Sequence, residues 1–312
     1  MNNVDEQYIN LLKDVLKNGE EKITRSGLVK SVFGRTMEFD LSKGLPLLTT
    51  KKVFYNGIIK ELLWFISGST NIKSLVDNGV NIWNEDAYRY YKELIGKSKF
   101  KAIPFKDFLK EVKQNTKALY LGSSNNGYKN MMYSYGDLGV MYGKNWRHFG
   151  DKCVDQIKYV INEIKNNPTS RRILLTCYDP NTVNEAALYP CHILYQFNVT
   201  NSGTLDCMVN VRSNDLPCGC PFNIASAALL THMIAEVTEL KVGKLFYVIG
   251  NAHIYGNQIK SVKEQIQRKG FDELPKFSFK RKIKDIDDFK FEDFLIEDYK
   301  HDDAIHYELS VG

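Results

Sequence analysis

The sequence predicts an α+β fold, a single domain interrupted by one long insertion, and three segments carry that expectation. YQFNV and LDCMVNV both alternate apolar with polar residues and are separated by TNSGT, the pattern of an antiparallel hairpin. PFNIASAALLTHMIAEVTEL follows and is apolar on nearly every side, as a buried central helix must be. KLFYVIGNAHIYGNQI then reads as another strand running into a helix.

The remaining elements follow in chain order. Tyr8, Leu11, Leu12, Val15 and Leu16 have helical spacing, with Gly19 as the stop. Lys22 to Gly27 reads as a polar turn, and SVFGRTMEFDL as a strand. GIIKELLWFIS is apolar at helical spacing, interrupted by Glu61. Residues 86–136 are rich in Lys, Tyr, Asn and Ser and read as the insertion: a short helical piece around Phe105, Phe108, Leu109 and Val112, then a mobile loop at LGSSNNGYKN. Aromatic residues mixed with lysines there could suggest RNA contact, but a solvated insertion is the favoured reading. In the hairpin, Leu205, Cys207, Val209 and Val211 share one face.

Composition narrows the function classes. A chain of 312 residues that is 43% hydrophobic has enough apolar material for a sizeable core. A net charge of +5 is modest for a nucleic-acid binder and suits a small anionic substrate as well. The six cysteines (153, 177, 191, 207, 218 and 220) contain no C-x-x-C pair, and Cys218 and Cys220 are too close for the usual zinc spacing. No metal site is expected. The opening MNNVDEQYIN lacks the pattern of a secretory signal, and no run of 18 apolar residues suggests a membrane span. A cytoplasmic chain with reduced thiols is the expectation.

Several residues could carry chemistry, each with a plainer alternative. Cys191, in the loop-to-strand run LYPCH, could present a thiolate to a cleft if arginines lie near it, or could be a buried structural cysteine. Arg25, Arg171, Arg172 and Arg212 stand beside small or hydroxylated residues such as Ser213, which suits phosphate oxygens and equally suits salt bridges. Arg212 reads as the end of its strand. Glu61, among Leu62, Leu63, Trp64 and Phe65, is either a paired or proton-transferring carboxylate or the wet side of its helix. Asn223, at the start of the apolar helix, could read the edge of a base or cap the helix. His253 and Tyr255 face one way on a strand and could bind a ribose hydroxyl or form a core pair, while His232 reads as structural.

Nine segments together resemble the thymidylate synthase family, in family order: TTKKVF, KELLWFISGSTN, IWNE, GDLGVMYGKNWRHFG, NPTSRR, YPCHILYQF, RSND, PFNIAS and GNAHIY. The resemblance spans about residues 22 to 311 apart from the insertion. It implies a large mixed and antiparallel sheet packed by helices and a sheet-mediated homodimer. The substrates it implies are dUMP and a reduced folate, 5,10-methylenetetrahydrofolate; neither metal nor nucleic acid is required. By position, Cys191 matches the nucleophile, and Glu61, Tyr142 and His192 match the polar network around the reacting base. Arg25, Arg212 and Ser213 match the phosphate site, and Arg171 and Arg172 match arginines that reach the partner subunit's site. Asn223 matches the amide that reads uracil, and His253 with Tyr255 the ribose pair. Asp215 matches the carboxylate that binds the pterin. Trp83, Gly219 and Phe222 match positions lining the folate site, and Lys51 one near its glutamate tail.

Four departures stand out. Val211 replaces the usual Gln, Pro217 and Cys218 replace apolar residues, Asn251 replaces an Asp, and Gly312 follows the usual terminal valine at Val311. VNVRSND also resembles the motif of nucleotide hydroxymethylases, in which water captures the methylene. Asn223 speaks against a dCMP hydroxymethylase, which carries Asp there, and a dUMP hydroxymethylase remains an alternative. A non-catalytic nucleic-acid-binding protein of the same fold is the alternative from another class.

Overall fold

The computed structural model describes residues 1–24, 27–96, 101–115, 119–120 and 132–307. Within them the chain forms, in order, α1 (Asn3–Asn18), β1 (Glu20–Thr24), β2 (Gly27–Asp40), α2 (Tyr55–Ile66), α3 (Lys73–Asp77), α4 (Asn84–Gly96), α5 (Phe105–Gln114), β3 (Leu119–Tyr120), β4 (Met132–Tyr133), α6 (Tyr142–Arg147), α7 (Gln156–Asn166), β5 (Leu174–Thr176), β6 (His192–Val199), β7 (Thr204–Asp215), α8 (Gly219–Val237), β8 (Lys241–Tyr255), α9 (Ile259–Gln265), β9 (Lys276–Phe279) and β10 (Phe294–Glu297). The chain divides into two compact units: Met1–Leu62 with Gln156–Thr176 and Cys191–Gly312, and Leu63–Asp155 with Cys177–Pro190.

The first unit holds a six-stranded sheet in the order β1-β2-β8-β7-β6-β5. The expected α+β architecture with a large mixed sheet is what forms. The β6–β7 pair is the antiparallel hairpin read from the alternation. β7 and β8 run parallel, which requires a crossover, and α8 supplies it. The alternation sets which sheet face is dry: Leu205, Cys207, Val209 and Val211 of β7 are 0–1% exposed, as are Leu245, Tyr247 and Ile249 of β8. α8 lies in this core, with Leu229, Leu230, Met233 and Ile234 fully buried. It is long and apolar enough to cross a membrane by composition, and its residues are mostly buried within the fold.

At the N-terminus, Asn2 caps α1 by accepting the Asp5 N–H at 2.9 Å, and Gly19 closes the helix. Gly19 is there because space is short: a Cβ would stand 2.4 Å from the Val15 carbonyl oxygen. The polar turn read over Lys22 to Gly27 is too wide, because Lys22 to Thr24 belong to β1. β1 is an edge strand exposed at every position, so it shows no alternation to read.

The second unit holds α3 to α6 and the short β3–β4 pair. The helical piece read around Phe105 is α5, which buries Phe108 and Val112. Residues 86–96, read as part of a solvated insertion, instead continue α4 and bury Tyr90, Tyr91, Leu94 and Ile95. Tyr88, Tyr91, Phe108 and Tyr135 form an aromatic cluster with centroids 5.2–6.1 Å apart. The described residues between 86 and 136 therefore bury a cluster of their own. LGSSNNGYKN lies outside the described residues.

Candidate active site

Cys191 is the last residue before β6 and is half-buried. Its carbonyl accepts the Arg212 N–H at 2.8 Å, and Arg212 Nη2 stands 3.9 Å from its sulfur. A guanidinium at that distance stabilises negative charge on sulfur. β7 does not end at Arg212 as the sequence suggested; it continues to Asp215, so the arginine is held within a ladder. Gly250 of β8 permits the approach, since a Cβ there would stand 2.8 Å from the Arg212 carbonyl oxygen. The contrast with other cysteines is chemical. Burial pushes the Cys177 and Cys207 thiols up to about 12, and Cys218 rises to about 12 through burial and the neighbouring Asp215.

His192 opens β6 and is buried, with Nδ1 2.7 Å from the Tyr195 hydroxyl. Strand residues three apart ordinarily point to opposite faces. Here the register slips between His192 and Leu194: His192 pairs with Val211 and Tyr195 with Val209, so both side chains share the face covered by α8. Asn223 reaches the same imidazole with a side-chain hydrogen bond. Burial lowers the His192 pKa to about 4, and the Asn223 bond opposes this only in part, so the ring is neutral near pH 7. Asn223 is not a helix cap, because α8 begins at Gly219 and its N-cap is Cys218. The capping alternative is thereby removed.

A second group surrounds Asp215, the last residue of β7. Gln258 Nε2 donates to Oδ2 at 3.1 Å and the Cys218 N–H to Oδ1 at 3.2 Å. Burial raises the Asp215 pKa, while these donors, His253 and Lys51 oppose the rise. Lys51 is buried, donates to the Pro217 carbonyl, and lies 4.5 Å above the Tyr307 ring. Burial lowers its pKa to about 8, which leaves it largely protonated at pH 7. His253 lies beside Asp215 in the β7–β8 register, with Nδ1 3.0 Å from Asn251 Oδ1 and the Tyr255 ring edge-on at 5.1 Å.

The other expected residues are placed as follows. Ser213 is half-buried and registers with Asn251; Gly219 and the half-buried Phe222 lie in the first turn of α8. Arg171 and Arg172 are exposed and, with Thr169 and Ser170, line an open cleft of about 520 Å³. Glu61 is half-buried on α2 and has a partner of its own. Tyr142 and Trp83 belong to the other unit, where their rings are 6.5 Å apart and Tyr142 packs on Phe65 at 4.9 Å. Arg25 lies outside the described residues, as do Val311 and Gly312.

A family model described as Thymidylate synthase matches residues 6–311 of the chain. The chain belongs to the thymidylate synthase family. It is 45% identical over 309 residues to a thymidylate synthase of Mycoplasma mobile, covering 98% of this chain and 100% of that protein. It is 43% identical over 307 residues to a thymidylate synthase of Mycoplasma pneumoniae, again covering 98% and 100%. A bifunctional dihydrofolate reductase-thymidylate synthase of Paramecium tetraurelia is 39% identical over 319 residues, 98% of this chain and 61% of that protein. The family is one of enzymes, and no group of three or more His, Cys, Asp or Glu among the described residues could hold a metal ion.

Sequence reasoning missed Tyr195, Gln258 and Tyr307. The bulge that turns Tyr195 toward His192 leaves no trace in the alternation of YQFNV. Gln258 and Tyr307 reach their partners from 43 and 42 residues away, which no local pattern reveals.

Proposed function

We propose that this enzyme converts dUMP to dTMP by reductive methylation, taking both carbon and hydride from 5,10-methylenetetrahydrofolate and releasing dihydrofolate. The observation that carries the reading is the Cys191 sulfur 3.9 Å from Arg212 Nη2, beside a neutral His192 bonded to Asn223. In this reading the Cys191 thiolate adds to ring carbon 6 of the uracil. The displaced electron pair makes carbon 5 nucleophilic, and carbon 5 attacks the methylene carbon. Loss of the carbon 5 proton expels the folate nitrogen from the methylene carbon, and hydride from the reduced pterin then completes the methyl group as Cys191 departs, leaving dTMP and dihydrofolate.

Asn223 reads the uracil edge; its amide offers both a donor and an acceptor, as uracil does. Arg212, Ser213 and Arg25 take the phosphate, and His253 and Tyr255 the ribose. Glu61, Tyr142 and His192 handle the protons and water around the base. Asp215 binds the pterin, with Trp83, Gly219, Phe222 and Lys51 on the folate side. The whole chain is one catalytic domain carrying the 86–136 insertion, and it works in the cytoplasm, where its thiols stay reduced. It requires no nucleic acid.

We also read the chain as a homodimer joined through its sheet. The sheet face opposite α8 presents Met208, Asn210, Phe246, Val248, Leu194 and Gln196, all half-buried, in register across three strands. A second copy would cover it, and the exposed Arg171 and Arg172 would serve the partner's phosphate site.

The test is turnover of dUMP and 5,10-methylenetetrahydrofolate by the purified enzyme, with both products resolved. Dihydrofolate, followed by absorbance, and dTMP, identified by mass, are expected. Hydroxymethyl-dUMP with tetrahydrofolate would overturn the reading in favour of water capture.

A further inference from the structure

Asn251 stands where the family usually carries an aspartate, and its side chain meets the imidazole read above as a ribose ligand. Its Oδ1 is 3.0 Å from His253 Nδ1. An amide oxygen only accepts, so the ring nitrogen facing it carries the proton. The groups packed against the ring do not compete for its other nitrogen. From β7, Asp215 is opposite in register, but both of its oxygens are already engaged by Gln258 and the Cys218 N–H. From β2, the residue opposite is the buried and uncharged Ser31. On β8 itself, Tyr255 meets the ring edge-on, and Lys51, which bears on Asp215, donates to the Pro217 carbonyl.

We propose that Asn251 is a positioning residue that holds His253 as the neutral Nδ1–H tautomer, so that Nε2 presents a lone pair to a hydroxyl of the bound nucleotide. The neutrality of Asn251 matters as much as its oxygen. A carboxylate at 251 would place a second negative group beside the imidazole, with Asp215 across the ladder, and would favour the doubly protonated ring. Both ring nitrogens would then donate, and the site would ask the hydroxyl for its lone pair instead of its proton. Burial lowers the His253 pKa and so favours the neutral ring, while Asp215 and a hydrogen bond to Asn251 oppose it.

The ribose role rests on the proposed function; the tautomer does not, and the experiment keeps the two apart. Two-bond proton–nitrogen correlation spectra of protein labelled with ¹⁵N-histidine read the protonation of each ring nitrogen without any nucleotide. His253→Gln assigns the resonance among the six histidines, and the other five report that each variant is folded. At pH 7 the wild-type ring should be neutral with its proton on Nδ1. Asn251→Asp should move its titration midpoint up by about one pH unit or more, from the effect of an adjacent opposite charge. Asn251→Leu should release the tautomer preference. In parallel, KM for dUMP in Asn251→Asp should change across pH 6 to 8 by about tenfold relative to wild type, with kcat changed less. A proton on Nε2 in the wild type, or a midpoint unmoved in Asn251→Asp, overturns the proposal. The expected spectra with no nucleotide binding at all would instead remove the ribose role.

Discussion

Cys191 and Asp215 sit in polar groups that the sheet builds on opposite electrostatic plans. The buried neighbours of the Cys191 group are uncharged: His192 is held neutral by burial, Tyr195 and Asn223 bond to it, and Arg212 supplies the cation at the sulfur. The Asp215 group keeps ionisable groups inside. Lys51 is buried with its pKa lowered to about 8, Asp215 is pushed up, and His253 is pushed down. A half-buried thiol with a cation beside it is arranged for attack. A half-buried carboxylate with two N–H donors and a lysine nearby is arranged for holding a fixed shape. The difference teaches that the first group is sensitive to loss of a reacting atom, and the second to loss of a charge.

The sharpest way to break the comparison is Cys191→Ala. If the sulfur forms the bond to the substrate, kcat should fall by about 10⁴-fold or more, with the fold and nucleotide binding retained. Turnover assays set beside calorimetric dUMP binding check this. Full activity in the variant would make Cys191 a structural cysteine like Cys177. No turnover in the wild type, with strong and salt-sensitive RNA binding, would instead favour a non-catalytic protein.

The next effect is on stability and belongs to the other group. Lys51→Met should fill the same space, but it leaves the buried Pro217 carbonyl without its donor and removes the cation from the Tyr307 ring and from Asp215. We expect a loss of about 2 to 4 kcal/mol in denaturant unfolding, summing a charge-assisted hydrogen bond and a buried cation–π contact. Unchanged stability, with weakened binding only of polyglutamylated folate, would mean that Lys51 acts on the folate tail and not as an internal anchor.

The two groups were not equally legible in the sequence. The Cys191 group lies on elements with strong periodic patterns, the YQFNV and LDCMVNV strands and the α8 helix, so its neighbourhood could be read from local sequence. Even there the bulge at His192 hid Tyr195, because a one-residue slip changes which face a strand residue occupies. The Asp215 group is assembled from Lys51, Gln258 and Tyr307, whose partners are tens to hundreds of residues away. Lys51 illustrates the limit: a lysine beside a second lysine reads as surface, and only the tertiary packing of the Thr49–Thr50–Lys51 turn explains its burial. Buried Asp5 accepts both threonine N–H groups and both hydroxyls and fixes that turn. α4 is hard to read for another reason: its tyrosines and charged residues resemble loop composition until the buried face is seen.

The smallest effect separates how much of the acid sensitivity belongs to the site. Burial lowers two histidines to about 4, His192 beside Cys191 and His232 in the middle of α8 against Phe277 at 4.6 Å. The ordinary histidine value is near 6.5, so the unfolded chain takes up these two protons before the folded chain does. Stability is therefore fully present above pH 6.5 and is lost as pH falls from 6.5 toward 4. Each histidine contributes a slope of about 1.4 kcal/mol per pH unit within that window. His232→Leu removes one of these histidines without touching the Cys191 group, and the Nε2 it deletes is buried with no hydrogen-bond partner among the described residues. Unfolding free energies measured from pH 6.5 to 5, above most carboxylate titration, should show the slope reduced by up to about 1.4 kcal/mol per pH unit, the rest belonging to His192 and to His253, which burial also lowers. A slope unchanged in His232→Leu would leave the acid sensitivity to His192 and His253, and so would tie the stability of the fold to the neutrality of the rings in its two polar groups.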